Sequence, residues 1–316
     1  MDSESLVQLA LNALSCSQKE LAIRVGVSPT QISKWKKGEH LSRDMEEKLR
    51  AIANIGDRDP SFVLLAGSLE GAKKWEKLIH ILAKAAQDGA ETGYNTYLLS
   101  DEDGFLCSST FDVLQELGVI FPKVFPIELD IDYESSDDED LWDLIGANPL
   151  LNLIYQIYQS LNDVYGFYAA YVSELLTDDE LGLFDTPASE IEYSLMSLAA
   201  CKIEENQELT PKITDFKRRT IKDFEDWISI IKDKAFRAGV PLRAELLNMV
   251  YRSGGELGHE AEAESLGINQ SRIHPDIYMN ELLEGMRIIH QVLPVIMKKL
   301  GIDNEFELDT SDLRIR

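Results

Sequence analysis

The amino-acid sequence predicts a mainly α-helical protein, with a small N-terminal bundle and a larger acidic domain. Apolar residues recur at three- and four-residue spacing through most of the 316-residue chain, which is the period of an amphipathic helix. Helix start and stop signals frame many of these runs. The exception is a possible small β-hairpin near residues 94–107. We predict a helical domain over 1–56, a hinge over 57–61, and an acidic helical domain over 62–316.

Two short helices joined by a tight turn are predicted between residues 18 and 37. Gly26 lies between them, where a glycine can take a positive φ and end the first helix. Val27 then fills the angle beneath the turn. The spacing places five residues on the facing sides of the two helices: Leu21, Ala22, Val25, Ile32 and Trp35.

Each of these two helices begins with a start signal. Residues 17–20, Ser-Gln-Lys-Glu, have the pattern of a capping box. Residues 28–31, Ser-Pro-Thr-Gln, repeat it, with proline at the first helical position. The spacing of the two signals leaves room only for two short helices.

This arrangement resembles the helix-turn-helix of the lambda-repressor-like (Xre/Cro) family over roughly residues 5–56. The resemblance is in Gln18, Ala22, Gly26, Ile32, Trp35 and Gly38. It implies a DNA-binding domain whose second helix enters the major groove of double-stranded DNA. Pro29 departs from the commonest family pattern, in which that position carries a polar residue that contacts a base, so base reading passes to its neighbours.

The side chains that face away from Ile32 and Trp35 are the candidates for DNA contact. Gln31 and Lys34 have the chemistry to read base edges, because an amide pairs with adenine and a lysine donates to guanine. Gln18, Ser28, Thr30 and Lys36 are predicted to hold phosphates. Ser33 and Lys37 complete the predicted DNA-binding set. Each of these residues could also be an ordinary solvated helix residue.

The charge distribution is compatible with DNA binding at one face only. The chain has a formal net charge of −25, yet residues 18–38 hold five basic side chains and one acidic side chain. Screening over about 8 Å at physiological salt limits the effect of the distant acidic surface. We therefore expect a weak, salt-sensitive contact per chain, strengthened by a homodimer on a two-fold operator.

The remaining segments are predicted in chain order. Ser42 begins a helix that stops at Gly56, and Pro60 marks the hinge. Residues 62–88 are predicted as one helix, and Ser109–Leu117 as a short helix that ends at Gly118. Further helices are predicted near 149–176, 187–206, 213–238, 242–252, 255–265 and 275–300.

Three features of the acidic domain have both a functional and a structural interpretation. The segment 128–143 has nine acidic residues and no basic one. It is either a phosphate mimic or docking loop that engages a basic protein partner, or a solvated flexible loop. The stripe Tyr155, Tyr158, Tyr165 and Tyr168 could form a dimer interface or line a ligand cavity, or it could pack in the core. The basic cluster is either a second DNA contact, an acceptor for the acidic segment, or the solvated face of a helix: Lys212, Lys217, Arg218, Arg219 and Lys222.

No catalytic motif emerges from the sequence, and we expect no enzyme activity. His259-Glu260 lacks the second histidine of a zincin-type helix, and the glycines at 254–258 lack the lysine of a phosphate loop. Three scattered cysteines predict neither a disulfide framework nor a zinc site, so no metal or cofactor is expected. With no signal-like or membrane-spanning segment, we expect a cytoplasmic protein.

These observations predict a sequence-specific transcriptional regulator, a repressor that reads an operator as a dimer and is controlled by its C-terminal domain. One alternative is an antitoxin or phage-defence component. Its helical domain would bind a partner protein, and the helix-turn-helix would act as a tether or autoregulator. Another alternative is an effector with an unrecognised catalytic site. A gene neighbour that encodes a small basic toxin would favour the first alternative, and a polar cavity would favour the second.

Overall fold

Helices are the only regular elements in the described part of the chain, which confirms the predicted fold class. The computed structural model describes residues 3–90, 94–131, 133, 138–238 and 279–301. Within these ranges no residue forms a β-strand. None of the helices in the same ranges is both long enough and apolar enough to cross a membrane.

The N-terminal bundle consists of four helices around a small core. They are α1 (Ser3–Leu14), α2 (Gln18–Val25), α3 (Pro29–Trp35) and α4 (Arg43–Ala53). α1 packs along α4 and also contacts α2 and α3. α4 begins after Ser42 as predicted, but it ends before Gly56 because Asn54 takes the left-handed conformation, with φ +56°. Apart from glycine, asparagine is one of the few residues that adopt the left-handed conformation.

The helix predicted over 62–88 is two helices, α5 (Pro60–Leu65) and α6 (Leu69–Asp88). Gly67 breaks it with φ +80°, and the Ser68 hydroxyl caps α6 by accepting the Gly71 N–H at 3.0 Å. The carbonyl oxygen of Lys123 lies only 2.2 Å from where a Cβ on Gly67 would stand. A distant segment thus packs directly against the break, and the helical period of 62–88 gives no sign of this contact.

The β-hairpin predicted near 94–107 does not form. Its place is taken by α7 (Tyr97–Ser100), a turn, and the start of α8 (Leu106–Leu117). Asp101 ends α7 in the left-handed conformation, and its carboxylate accepts the N–H of Leu106 at 2.8 Å. This bond holds the first residue of α8. A helix therefore starts at the position where a hairpin would need its second strand. α8 ends at Gly118, as predicted, with φ +86°.

The rest of the described chain adds further helices around this core. A 3₁₀ turn at Ile127–Leu129 precedes α9 (Asp138–Ala147). The helix predicted over 149–176 is α10 (Pro149–Tyr171) followed by the short α11 (Ser173–Thr177). The acidic segment, predicted as one loop or docking element, therefore enters a helix at Asp138.

The C-terminal helices are α12 (Leu195–Ala200), α13 (Ile213–Ala238) and α14 (Met279–Leu300). The helix predicted over 187–206 is a 3₁₀ helix, Pro187–Ser194, that continues into α12. α13 has the predicted bounds. The helices predicted over 242–252 and 255–265 lie outside the described residues, as do His259 and the glycines at 254–258.

The core runs from the N-terminal bundle into the larger part without interruption. α5 contacts both α1 and α8, and α10 packs against α6 and α12. Phe111 on α8 is the centre of an aromatic group. Its ring stacks on Phe121 at 4.4 Å and meets Phe62 edge-on at 4.8 Å and Trp75 edge-on at 5.6 Å, measured between ring centroids. Phe62 lies on α5, so this contact joins the segment after the predicted hinge to the larger core.

Candidate nucleic-acid interface

The turn between α2 and α3 has most of the local hydrogen bonds that the sequence predicts. Ser17 and Glu20 form a complete capping box: the Glu20 carboxylate accepts the Ser17 N–H at 2.8 Å, and the Ser17 hydroxyl accepts the Glu20 N–H at 3.4 Å. Gly26 ends α2 with φ +81°. At α3 the structure shows the serine half of the box, in which the Ser28 hydroxyl accepts the N–H of Gln31 at 3.2 Å. Both helices are thus fixed at their starts by short-range bonds.

The facing sides of α2 and α3 are buried as expected. The five predicted inward residues, Leu21, Ala22, Val25, Ile32 and Trp35, are all part of the hydrophobic core. The end of α3 has an additional partner on α1, because the hydroxyl of Ser3 donates to the Trp35 carbonyl at 2.9 Å in a buried hydrogen bond. Ser3 is not among the residues that the sequence singles out. Its position at the start of an amphipathic helix is the only sequence signal for a role of Ser3, and this signal does not identify a partner that lies 32 residues away.

Beyond Trp35 the chain leaves α3 through a second glycine turn. Gly38 has φ +86°, and its N–H donates to the Trp35 carbonyl at 3.0 Å. The N–H of Glu39 donates to the Lys34 carbonyl at 3.2 Å. This pair of bonds is the Schellman pattern that closes helices at a left-handed residue. Gly38 therefore closes the second helix as the sequence predicts.

All eight predicted DNA-contact residues lie on accessible surface. Ser28, Thr30, Lys34 and Lys37 are exposed, and the other four are half-buried, namely Gln18, Gln31, Ser33 and Lys36. Gln18 at the start of α2 and Lys36 after α3 line the same shallow cleft of about 550 Å³, together with residues at the end of α1. The fold thus brings two of the predicted phosphate contacts together from different helices.

Lys34, one of the two candidate base readers, has an acidic neighbour. Its Nζ lies 3.3 Å from a carboxylate oxygen of Glu39, and both side chains are about half exposed. An exposed ion pair of this kind contributes only about 0–1 kcal/mol, so DNA can compete for the lysine at small cost. Glu39 is not in the predicted set. It follows Lys34 by five residues, and the turn at Gly38 brings it back to the end of α3.

The tyrosine stripe on α10 is part of the core. Tyr158 and Tyr168 are buried, and Tyr155 and Tyr165 are half-buried. The hydroxyl of Tyr158 lies 2.6 Å from the hydroxyl of Thr110, and the hydroxyl of Tyr168 donates to Glu192 at 3.1 Å. Burial raises the pKa of both phenols. Core packing, in which the hydroxyl groups of Tyr158 and Tyr168 have partners, accounts for the stripe.

The basic cluster on and before α13 is mostly paired within the chain. Lys217 donates to the Ile203 carbonyl at 3.1 Å, Arg218 lies 2.9 Å from Asp215, and Arg219 lies 3.6 Å from Glu116. Phe224 and Ile231 on α13 are buried. These contacts favour the solvated helix face over a second DNA contact.

The described part of the acidic segment has one intramolecular basic partner and one aromatic anchor. Asp130 forms an ion pair with Lys74 on α6. Trp142 on α9 meets the ring of Tyr155 edge-on, with centroids 5.1 Å apart. Trp142 therefore anchors the exit of the segment to α10.

In comparisons with known proteins, no family model matches this chain, and no curated protein or solved structure is significantly similar to it. The resemblance to the lambda-repressor-like family therefore stays a prediction from the six motif residues.

Proposed function

We propose that this protein is a sequence-specific DNA-binding regulator that inserts α3 into the major groove of an operator. The observation that carries the proposal is the two-sided character of α3. Ile32 and Trp35 are buried against the bundle, while polar and basic side chains cover the outer side of a helix with a capped, accessible start. A helix of this kind, presented by a second helix across a tight turn, is a standard major-groove reader.

In this proposal Gln31 and Lys34 read base edges, and neighbouring residues bind the phosphates of the DNA backbone. Gln31 would pair with adenine and Lys34 with guanine acceptors. Phosphates would be held by Gln18 and Lys36, which share one cleft, and by Ser28 and Thr30 at the start of α3. Occupancy of the operator would block polymerase, which makes repression the expected outcome.

The proposed regulator acts as a homodimer, and α14 is the element that we assign to pairing. Ile289, Leu293, Ile296 and Leu300 recur at spacings of four, three and four residues, which is a heptad seam, and all four side chains are exposed. Val292 flanks this seam, Ile288 and Val295 lie further round the helix, and all three are also exposed. An exposed apolar helix of 22 residues, about 33 Å long at 1.5 Å per residue, needs a partner to be stable in water.

A second copy of the chain is the occupant that fits this seam. A seam of identical residues is complementary to itself in a two-fold pair, and two-fold symmetry is what a palindromic operator requires. Pro294 lies on the side of α14 opposite the seam, so it does not enter such a contact.

The DNA-binding proposal is tested by titrating labelled DNA from the region upstream of the protein's own gene at several salt concentrations. Gln31→Ala combined with Lys34→Ala is expected to weaken specific binding at least tenfold, since each base contact contributes about 1–3 kcal/mol of discrimination. Lys36→Ala should weaken binding to all sequences and reduce the salt slope by about one. The matched control is Gln115→Ala with Lys48→Ala, two exposed positions away from α3.

If the Gln31/Lys34 double variant binds its DNA with unchanged affinity and salt slope, the groove-reading assignment is wrong. If the unmodified protein binds none of this DNA more tightly than random sequence, the regulator proposal fails for this region. Genome-wide occupancy then decides whether another operator exists.

Dimerisation is tested separately by sedimentation at micromolar concentration. Ile289→Glu with Ile296→Glu should shift the protein to monomer, because it places charge in the seam. Gln291→Glu adds one charge outside the seam and should leave the dimer intact. A monomer at all concentrations in the unmodified protein would remove the assignment of α14.

A further inference from the structure

Three side chains with metal-binding donor atoms meet where α6, the end of α7 and the start of α8 come together. They are His80, Asp101 and Cys107, and their donor atoms all lie within 4.8 Å of one another. Each comes from a different element, so the cluster exists only in the folded chain. An imidazole nitrogen, a carboxylate oxygen and a sulfur are the three donor types that zinc sites in proteins use.

Asp101 is held in place by its own backbone and by α8. It takes the left-handed conformation with φ +52°, and one carboxylate oxygen accepts the N–H of Leu106 at 2.8 Å. The other oxygen, Oδ2, faces Nε2 of His80 at 2.6 Å. The Asp101 side chain is only 9% exposed. One oxygen therefore orients the carboxylate, and the other is presented to the cluster.

His80 gives the cluster an opening to solvent. Its side chain is 49% exposed, and its ring also interacts with the backbone of Glu76 one helical turn earlier. Metal-binding histidines usually make a bond of this kind on the side away from the metal, where it sets the ring orientation. An ion can therefore reach Nε2 without unfolding of the surrounding helices.

Cys107 forms the inner wall of the cluster. It is a free, buried cysteine in the first turn of α8. Burial raises the pKa of its thiol well above the ordinary range, and the carboxylates of Asp101 and Glu76 add to this effect, while Arg58 opposes it. A bound divalent cation reverses this preference, because it stabilises the thiolate directly.

We propose that His80, Asp101 and Cys107 bind Zn²⁺, with water as the fourth ligand on the exposed side. On binding, the Cys107 thiol and the Nε2 nitrogen of His80 each release a proton to solvent, and the carboxylate and thiolate together balance the two charges of the ion. Zinc would then replace the direct contact between His80 and Asp101 and link α6 to α8. The scattered cysteines led us to expect no metal from the sequence, but this site uses only one of them.

The site is tested on full-length protein without a histidine tag, freed of metal with EDTA and then titrated with Co²⁺. One equivalent of Co²⁺ should give the near-ultraviolet band of a thiolate–cobalt bond, and one equivalent of Zn²⁺ should displace it. Cys107→Ser should abolish the band. His80→Gln should weaken Zn²⁺ binding, measured by calorimetry, by at least about tenfold, since even the loss of an outer-shell partner of a metal ligand typically costs that much.

Two matched variants separate this site from other cysteines and histidines. Cys201→Ser removes the other buried cysteine in the described ranges, and His40→Gln removes an exposed histidine. Both should leave the cobalt band and the zinc affinity unchanged. His80 is half exposed, so His80→Gln is expected to fold and keeps the test valid if Cys107→Ser does not. A thiolate band that survives Cys107→Ser, or no stoichiometric binding by the unmodified protein, overturns the proposal.

Discussion

Arg58 and Glu76 form a two-pronged ion pair, with Nε 2.7 Å from Oε1 and Nη2 3.0 Å from Oε2. Arg58 lies in the predicted hinge and Glu76 on α6. From the other side, the guanidinium of Arg50 on α4 donates to the carbonyls of Gly56 at 3.0 Å and Arg58 at 2.8 Å. The segment that follows the helix-turn-helix is therefore bonded to the N-terminal bundle and to the larger part at the same time.

The first prediction is that this ion pair contributes measurably to stability. The Arg58 and Glu76 side chains are 33% and 24% exposed, so solvent screens them only partly. A double-mutant cycle with Arg58→Ala and Glu76→Ala should give a coupling free energy of about 1.5–3 kcal/mol in denaturant unfolding, as expected for a hydrogen bond between charged groups. The control pair, Arg43 and Glu47, is 90% and 64% exposed and should give about 0.5 kcal/mol or less. Equal coupling in the two cycles would contradict the prediction.

The second prediction concerns the break between α5 and α6. Gly67→Ala should destabilise the protein for two reasons. The left-handed backbone conformation strains an alanine by about 1–2 kcal/mol. The clash of its Cβ with the Lys123 carbonyl costs about a further 1–3 kcal/mol. Gly104→Ala is the control, because Gly104 also has a positive φ, of +73°, but no atom lies within 4 Å of where its Cβ would stand. Only the strain should remain there. If thermal unfolding shows the same loss of stability for both variants, the close approach of Lys123 does not add to the cost of the substitution.

The third prediction is that Glu39 restrains DNA binding. Glu39→Gln removes the ion pair with Lys34 and should raise operator affinity by up to about fivefold, which corresponds to an exposed pair of about 0.2–1 kcal/mol. Glu47→Gln removes the same charge from an exposed site on α4 and should change affinity less. Anisotropy titrations at matched salt measure both. An equal gain from the two variants would show a general charge effect instead of release of Lys34.

The fourth prediction is a pH dependence of the α2 cap. Hydrogen bonds from the Ser17 backbone and side chain lower the pKa of Glu20 below its usual 4.5. A carboxylate with a lowered folded pKa stabilises the fold above its unfolded pKa, and this contribution is lost as the pH falls through the folded value. Unfolding curves of the unmodified protein and Glu20→Gln should therefore differ most near neutral pH and converge as the pH falls through the lowered folded pKa of Glu20. A difference that does not change with pH would exclude an ionised cap.

The successful predictions depend on residues that are close together in sequence. The Ser17–Glu20 box, the Gly26 turn and the Gly118 stop involve partners within about five residues, so the sequence contains all the information needed to infer them. The same holds for the outer face of α3, because helical period alone separates Gln31 and Lys34 from the buried Ile32 and Trp35.

The unsuccessful predictions depend on contacts that the period of a helix or a strand does not encode. The break at Gly67 accompanies the approach of Lys123, and the start of α8 depends on the Asp101 carboxylate in the turn before it. The residue patterns over 62–88 and 94–107 carry no signal for either contact. The bond from Ser3 to Trp35 was missed for the same reason.

The sequence by itself therefore determined the helical class, the caps and turn of α2 and α3, and the side chains that α3 presents to solvent, because these follow from bonds and periods of a few residues. The tertiary structure alone decided that Arg58 meets Glu76, that Glu39 meets Lys34, and that His80, Asp101 and Cys107 converge. These groups meet only after distant helices pack or the chain turns back, and the burial of apolar surface that drives this packing is non-directional. The pattern of a single segment does not specify which polar groups it will bring together.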